Sequence, residues 1–251
     1  MVADSQEACA LVTGAGRRLG RAIAFDLAQN GWRIGVHYQS SEADALSLVA
    51  DIEAMGGRAA PLRADLARLE DVERLVSDCS QALGPPNCLI NNAARFEWDW
   101  PDNVQEAGWA LHQDINLRAP VFLTKAFASA LPDDGEGNVI NLIDQKVHAL
   151  NPHNFSYTIA KSALWTATRT FAQALAPRIR VNAIAPGPVL PYQGQTEEDF
   201  ERECQDTLLK RAVPLGDITS TVRFLLETRS ITGQMIALDG GRHLNWRSDE
   251  S

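Results

Sequence analysis

Apolar, β-branched runs alternate with segments of helical period along nearly the whole chain of 251 residues, and this alternation restricts the fold more than any other feature. A strand followed by a helix and then another strand cannot close as a hairpin. Such strands pair side by side in parallel, with each helix crossing over the sheet. Seven runs read as strands: 8–13, 33–38, 59–64, 88–91, 138–143, 180–184 and 235–238. Helical patterns occupy 19–29, 42–55, 69–83, a long bent stretch over 104–131, 156–176, the later part of 194–210, and 217–227. Asn30-Gly31, Gly56-Gly57 and Pro177 supply stop signals. With no repeat, linker or break in composition, the expectation is one doubly wound α/β domain over residues 1–251, a seven-stranded parallel sheet with helices on both faces.

Ligands in such folds sit beyond the carboxyl ends of the strands. The chemically informative residues collect there: Thr13-Gly14, His37-Tyr38, Asp65-Leu66, Asn92-Ala93, Asp144 and Pro186-Gly187 each follow a strand. The stretch from Thr13 to Gly20 joins the first strand to a helix. Glycines let the backbone approach a pyrophosphate, and a helix start offers it unpaired N–H groups, so Gly14, Arg17, Arg18 and Leu19 are candidate cofactor contacts. A glycine turn by itself is also a common structural turn; its two flanks are what favour a Rossmann-type dinucleotide site. NAD-binding chains usually carry an acid about 20 positions further on. Here His37, Tyr38, Gln39, Ser40 and Ser41 come before the first acid, Glu42. An acid would repel a 2′-phosphate, whereas Arg17 with hydroxyl or imidazole donors would hold one, so NADPH is expected over NADH.

The chemistry is expected between residues 141 and 161. Tyr157 and Lys161 are four positions apart, which on a helix puts a phenol and an ammonium on one face. A fixed cation favours the phenolate and would lower the tyrosine pKa by about 1 to 3 units, making Tyr157 a usable acid and base. Asp144 stands thirteen residues before Tyr157, at the end of an apolar run.

Net charge is −9 with no sustained basic run, which argues against nucleic acid or an anionic membrane surface as partner. No apolar run approaches the ~20 residues needed to span a bilayer. Residues 1–8 are too short and polar for a secretory signal, so a cytoplasmic protein is expected. Cys9, Cys79, Cys88 and Cys204 have the spacing of neither a metal site nor a disulfide framework, and reduced structural thiols are expected.

Taken together, Thr13 through Gly20, Asp65-Leu66, Asn91-Asn92-Ala93, Asn116, Tyr157 to Lys161, Pro186-Gly187 and Asp239-Gly240-Gly241 resemble the short-chain dehydrogenase/reductase superfamily over almost the full chain. The resemblance implies that Tyr157 is the catalytic acid and that Lys161 holds the nicotinamide ribose and tunes Tyr157. Asn116 would support a proton-relay water, Asp65 would contact the adenine, and Asn92 would line the dinucleotide groove. It also implies a homotetramer, with residues 232–234 and the Asp-Gly-Gly stretch shaping the subunit contacts. Two departures narrow the resemblance: Arg18 replaces the middle glycine of Gly-x-x-x-Gly-x-Gly, and Asp144 replaces the usual serine. With His37-Tyr38, Phe96 and the ending Asp-Gly-Gly-Arg-His-Leu, these are similar to the pteridine reductases and the related bacterial dihydromonapterin and dihydrofolate reductases. In that group the arginine reaches cofactor phosphate and substrate, the aspartate joins tyrosine and lysine in proton delivery, and the aromatic residue stacks the pterin. Beside Trp98 and Trp100, Phe96 also suits simple packing.

Physical chemistry supports the assignment for Asp144. Placed ~4 Å from a developing oxyanion at an effective dielectric of 20, an ionised aspartate costs about 4 kcal/mol, roughly a thousandfold in rate. A ring C=N flanked by N–H donors instead gains an acceptor. The expectation is therefore an NADPH-dependent reductase of a dihydropterin or dihydrofolate, with Arg18, Phe96, Asp144 and Tyr157 on the substrate and a covering loop at about 187–210. The alternatives are reduction of a carbonyl, such as a 3-oxoacyl thioester or xenobiotic ketone, and NADPH binding without turnover.

Overall fold

A computed structural model of the chain describes residues 8–192 and 194–245. Residues 1–7, most of the stretch read above for a secretory signal, lie outside the described residues, as does Gln193 of the expected covering loop. The strands are β1 (Cys9–Val12), β2 (Arg33–Tyr38), β3 (Ala59–Arg63), β4 (Cys88–Asn91), β5 (Gly137–Leu142), β6 (Ile179–Pro186) and β7 (Met235–Leu238). They form a single seven-stranded sheet in the order β3-β2-β1-β4-β5-β6-β7, parallel at every pairing. The order reverses at β1, between β2 and β4, which opens a crevice at the carboxyl ends of β1 and β4.

Alternation along each strand divides the core in two. On one face Ala10, Val12, Ile34, Val36, Ile90, Ile140 and Ile184 pack with α1 (Arg18–Gln29), α2 (Glu42–Ala54) and α8 (Leu215–Glu227). On the other, Cys9, Leu11, Leu62, Leu89, Val139 and Val181 pack with α3 (Leu69–Leu83), α5 (Ala119–Ala130) and α6 (Phe155–Leu175). Burying one such aliphatic side chain contributes ~1.5–3 kcal/mol, which makes the register of the sheet hard to shift.

The long helical stretch is three pieces: α4 (Glu106–Gln113), a π-helical turn over Asp114–Arg118, and α5. β6 runs two residues beyond the apolar pattern because β7 lies alongside it, pairing Ala185 with Ala237 and Pro186 with Leu238. The expected loop at 187–210 includes α7 (Glu197–Gln205). All four cysteines are free and buried. Among the described residues no helix is long and apolar enough to cross a membrane.

Candidate active site

The glycine turn is held from three directions. Gly14 has φ +63°, where glycine is unstrained, and a Cβ on Gly20 would stand 2.2 Å from the Gly14 carbonyl oxygen, so α1 rests directly on the turn. Asn92 Nδ2 donates to the Thr13 carbonyl at 2.8 Å and to the Gly14 carbonyl at 3.3 Å, while Thr13 Oγ1 accepts from the Asn92 and Ala93 N–H groups. His37 supplies the third hold. Its Nδ1 accepts from the Gly14 N–H at 2.9 Å, which leaves Nε2–H to donate to the Ala64 carbonyl at 3.2 Å. Burial lowers the His37 pKa to about 4. This neutral imidazole has both nitrogens engaged inside the fold, so the expectation that it donates to a 2′-phosphate is corrected: it braces the turn.

The start of α1 fits a dinucleotide phosphate. Its N-cap residue Arg17 makes no side-chain capping bond and the first turn holds no acid, so the first N–H groups keep their positive field for an anion. Arg17 is exposed and ion-paired with Asp44 of α2. Exposed pairs of this kind contribute ~0–1 kcal/mol, little enough for a phosphate to displace. Ser41 Oγ would lie 3.3 Å from a Cβ on Gly16, which brings the β2–α2 turn against the glycine turn. Among the described residues the Ser40 and Ser41 hydroxyls make no hydrogen bond, whereas the Tyr38 hydroxyl donates to Glu42 Oε1 at 3.1 Å. Asp65, expected at the adenine, caps its own turn by accepting from the Ala67 N–H at 3.0 Å. Leu66 is in the core.

From the glycine turn a cleft of about 860 Å³ runs across the ends of β4, β5 and β6. Arg18, Leu19, Asn92, Phe96, Asp144, Tyr157, Lys161, Pro186 and Gly187 all line it. Tyr157 donates its hydroxyl to Asp144 Oδ2 at 3.1 Å, and Asp144 Oδ1 accepts from the Lys146 N–H at 2.8 Å. Lys161 Nζ donates to the Leu142 carbonyl at 2.7 Å and lies 5.7 Å from the Tyr157 ring centroid. Burial raises the Asp144 pKa, against the Lys146 N–H and the two lysines. Burial lowers that of Lys161 to about 8, with Asp144 opposing. The tyrosine behaves opposite to the expectation from its lysine neighbour: burial, then Asp144, push its pKa well above the usual value. Tyr157 is thus a retained proton donor aimed at a carboxylate.

The Arg18 guanidinium donates to the Leu190 carbonyl at 3.2 Å, spanning the cleft to the covering loop. Its backbone has φ +53°, the conformation that accounts for a glycine at this position in the common pattern. Phe96 stands edge-on to Tyr157 with centroids 5.0 Å apart, and touches Trp98 at 6.1 Å and Tyr192 at 5.6 Å. Tyr192, Trp98 and His153 also line the cleft. Tyr192 is missed by sequence reasoning because its neighbours are loop residues with no period. The side chain of buried Asn116, expected to support a water, is occupied: Oδ1 accepts from the Arg95 N–H and Nδ2 donates to the Arg95 carbonyl, both at 2.8 Å.

A parallel sheet with a glycine turn at its switch point and an acid, a base and a cation at the neighbouring strand ends defines a dinucleotide-dependent oxidoreductase. Residues 14–243 match the family model described as enoyl-(acyl carrier protein) reductase, and the chain belongs to this short-chain dehydrogenase/reductase family. A FolM alternative dihydrofolate reductase 1 from Brucella canis, solved in complex with NADP, is 48% identical with a TM-score of 0.95, covering 98% of this chain and 98% of its own. LugOII, described as a promiscuous reductase catalysing keto-reduction during lugdunomycin biosynthesis, is 35% identical with a TM-score of 0.88, covering 95% and 98%. A 3-oxoacyl-(acyl-carrier-protein) reductase FabG from Staphylococcus epidermidis is 30% identical over 240 residues, 94% of this chain and 98% of its own. The likeness to FolM agrees with the narrower resemblance drawn from Arg18 and Asp144.

Proposed function

We propose that this protein is an NADPH-dependent reductase of a dihydropterin or dihydrofolate. One observation carries the reading: the cleft presents a carboxylate, Asp144, hydrogen-bonded to the Tyr157 phenol, where a ketone reductase needs a neutral donor. NADPH, when bound, supplies the hydride. The α1 N-terminus, Arg17, Ser40 and Ser41 would hold its phosphates, and Asn92, Pro186 and Gly187 would line its groove. Asp144 would accept from ring N–H groups of the substrate while Tyr157 provides the proton for the ring nitrogen. Lys161 keeps positive charge beside that pair. Phe96, with Trp98 and Tyr192, offers apolar surface to a flat heterocycle, and the Arg18 fork bridges phosphate and substrate. With the Asn116 side chain engaged, support for a relay water falls to the backbone of the π-helical turn. The homotetramer, the cytoplasmic location and the single domain over residues 1–251 are part of the same proposal.

The FabG and LugOII relatives favour a second reading, reduction of a carbonyl. NADPH oxidation with dihydromonapterin, dihydrobiopterin and dihydrofolate, run beside an acetoacetyl thioester, separates the two. Turnover of the pterins or folate is expected. Asp144→Ser should lower it by about 10²–10⁴-fold while sparing or raising thioester activity. Turnover of the thioester alone by the wild type would replace the reading with a ketoreductase.

A further inference from the structure

The helix that carries Tyr157 is not capped by its own N-cap residue. Its N-cap residue Asn154 sits in the left-handed region and makes no side-chain capping bond. The cap comes from Asp99, 57 positions earlier, whose two carboxylate oxygens accept from the Ser156 N–H at 3.2 and 3.3 Å and whose Oδ2 also takes the Ser156 hydroxyl. The Asp99 backbone carbonyl accepts from the Phe155 N–H as well. Asp99 belongs to the loop that carries Phe96 and Trp98.

Behind Ser156 stands His112 of α4, fully buried, with Nδ1 2.6 Å from Ser156 Oγ and Nε2 accepting from the Glu97 N–H at 3.1 Å. A backbone N–H only donates, so Nε2 is bare and Nδ1 carries the proton. The Ser156 hydroxyl proton goes to Asp99, so its oxygen is left to accept from His112. The hydrogens therefore run one way, from the Glu97 N–H to His112, then to Ser156, then to Asp99. All three members are buried, so the chain of hydrogen bonds serves the fold and not a substrate. One helical turn beyond His112, Asn116 grips both backbone groups of Arg95. Phe96 thus lies between two grips, on Arg95 and on Glu97, and the far end of its loop is bolted to the first turn of α6.

We infer that His112, Ser156 and Asp99 are positioning residues that clamp the aromatic loop to the helix carrying Tyr157 and so set the gap into which a flat substrate fits. His112 also stands edge-on to the Tyr157 ring, with centroids 6.0 Å apart, but none of the three reaches the Tyr157 hydroxyl, and their effect on the substrate gap passes through the position of Phe96. Loss of the Ser156 link widens the substrate gap while the packing of His112 on the Tyr157 ring and the glycine turn stay in place.

The test compares wild type with Ser156→Ala, which removes the link between His112 and Asp99, and His112→Gln, whose amide can accept from the Glu97 N–H and donate to Ser156. Amide hydrogen exchange over residues 94–104 is read together with steady-state kinetics and NADPH affinity. Ser156→Ala should exchange faster across 94–104 and raise KM for the dihydropterin about tenfold, with kcat within about threefold and NADPH affinity unchanged. His112→Gln should keep both nearer wild type than Ser156→Ala does. Unchanged exchange in Ser156→Ala, or a fall in kcat with KM unmoved, would overturn the clamp. The kinetic arm rests on the pterin reading and the exchange arm does not. If the wild type reduces no pterin, exchange alone decides the clamp and only the substrate reading falls.

Discussion

At the scale of single residues, Tyr157, Asp144 and Lys161 form a triangle whose protonation is set more by burial than by the charges within it. Tyr157 holds its proton far above neutrality and Asp144 takes one up more readily than an ordinary carboxylate. Lys161, at about 8, is the member that titrates near working pH, charged below that value and neutral above it. kcat/KM reports the free enzyme, so it should decline as pH rises through about 8. A flat profile from pH 7 to 10 would show that the lysine charge does not matter before the cofactor binds. Spacing offered Tyr157 and Lys161 as a pair, and the family resemblance added Asp144. The direction of the tyrosine shift was not legible in the sequence, because the neighbouring lysine argued for a lowered value and only the packed cleft shows how much water is excluded.

At the scale of elements, the β1–α1 turn carries a conflict between folding and binding. Arg18 at φ +53° carries roughly 1–2 kcal/mol of left-handed strain. Replacing it with glycine removes that strain but returns ~0.4–1 kcal/mol of freedom to the unfolded chain. The two nearly cancel, so Arg18→Gly should leave stability unchanged or raise it by up to about 1 kcal/mol, a rise in Tm of roughly 2–4 °C at most. The same change should raise KM for NADPH and for substrate about tenfold each, through loss of a charge-assisted fork. A clear fall in Tm would mean that the arginine is there for the fold. The sequence already marked Arg18 as a departure. That its guanidinium reaches Leu190 on the covering loop depends on a contact across 172 positions, which no local pattern encodes.

At the scale of the whole molecule, His37 links the cofactor turn to the stability of the sheet. Its pKa is about 4 folded and 6.5 in an ordinary setting. Between those values the unfolded chain binds a proton that the native state refuses, so stability falls as pH drops from 6.5 towards 4 and levels off below. From pH 7 to pH 5 this one group should remove about 2 kcal/mol. Urea midpoints at the two pH values should show that loss in wild type and a smaller one in His37→Gln, and equal losses would release His37 from this role. The sequence by itself determined the parallel seven-stranded architecture, the glycine turn and the Tyr157–Lys161 pair, because periodicity and i,i+4 spacing are local properties that burial then enforces. Only the tertiary structure decided what the polar residues between those landmarks do. His37 turned inward, Asn116 seized Arg95, Asp99 capped a distant helix and Tyr192 joined the aromatic wall. A hydrogen-bonding group can satisfy itself with water, a ligand or the fold, and its partner is fixed only when the chain closes around it.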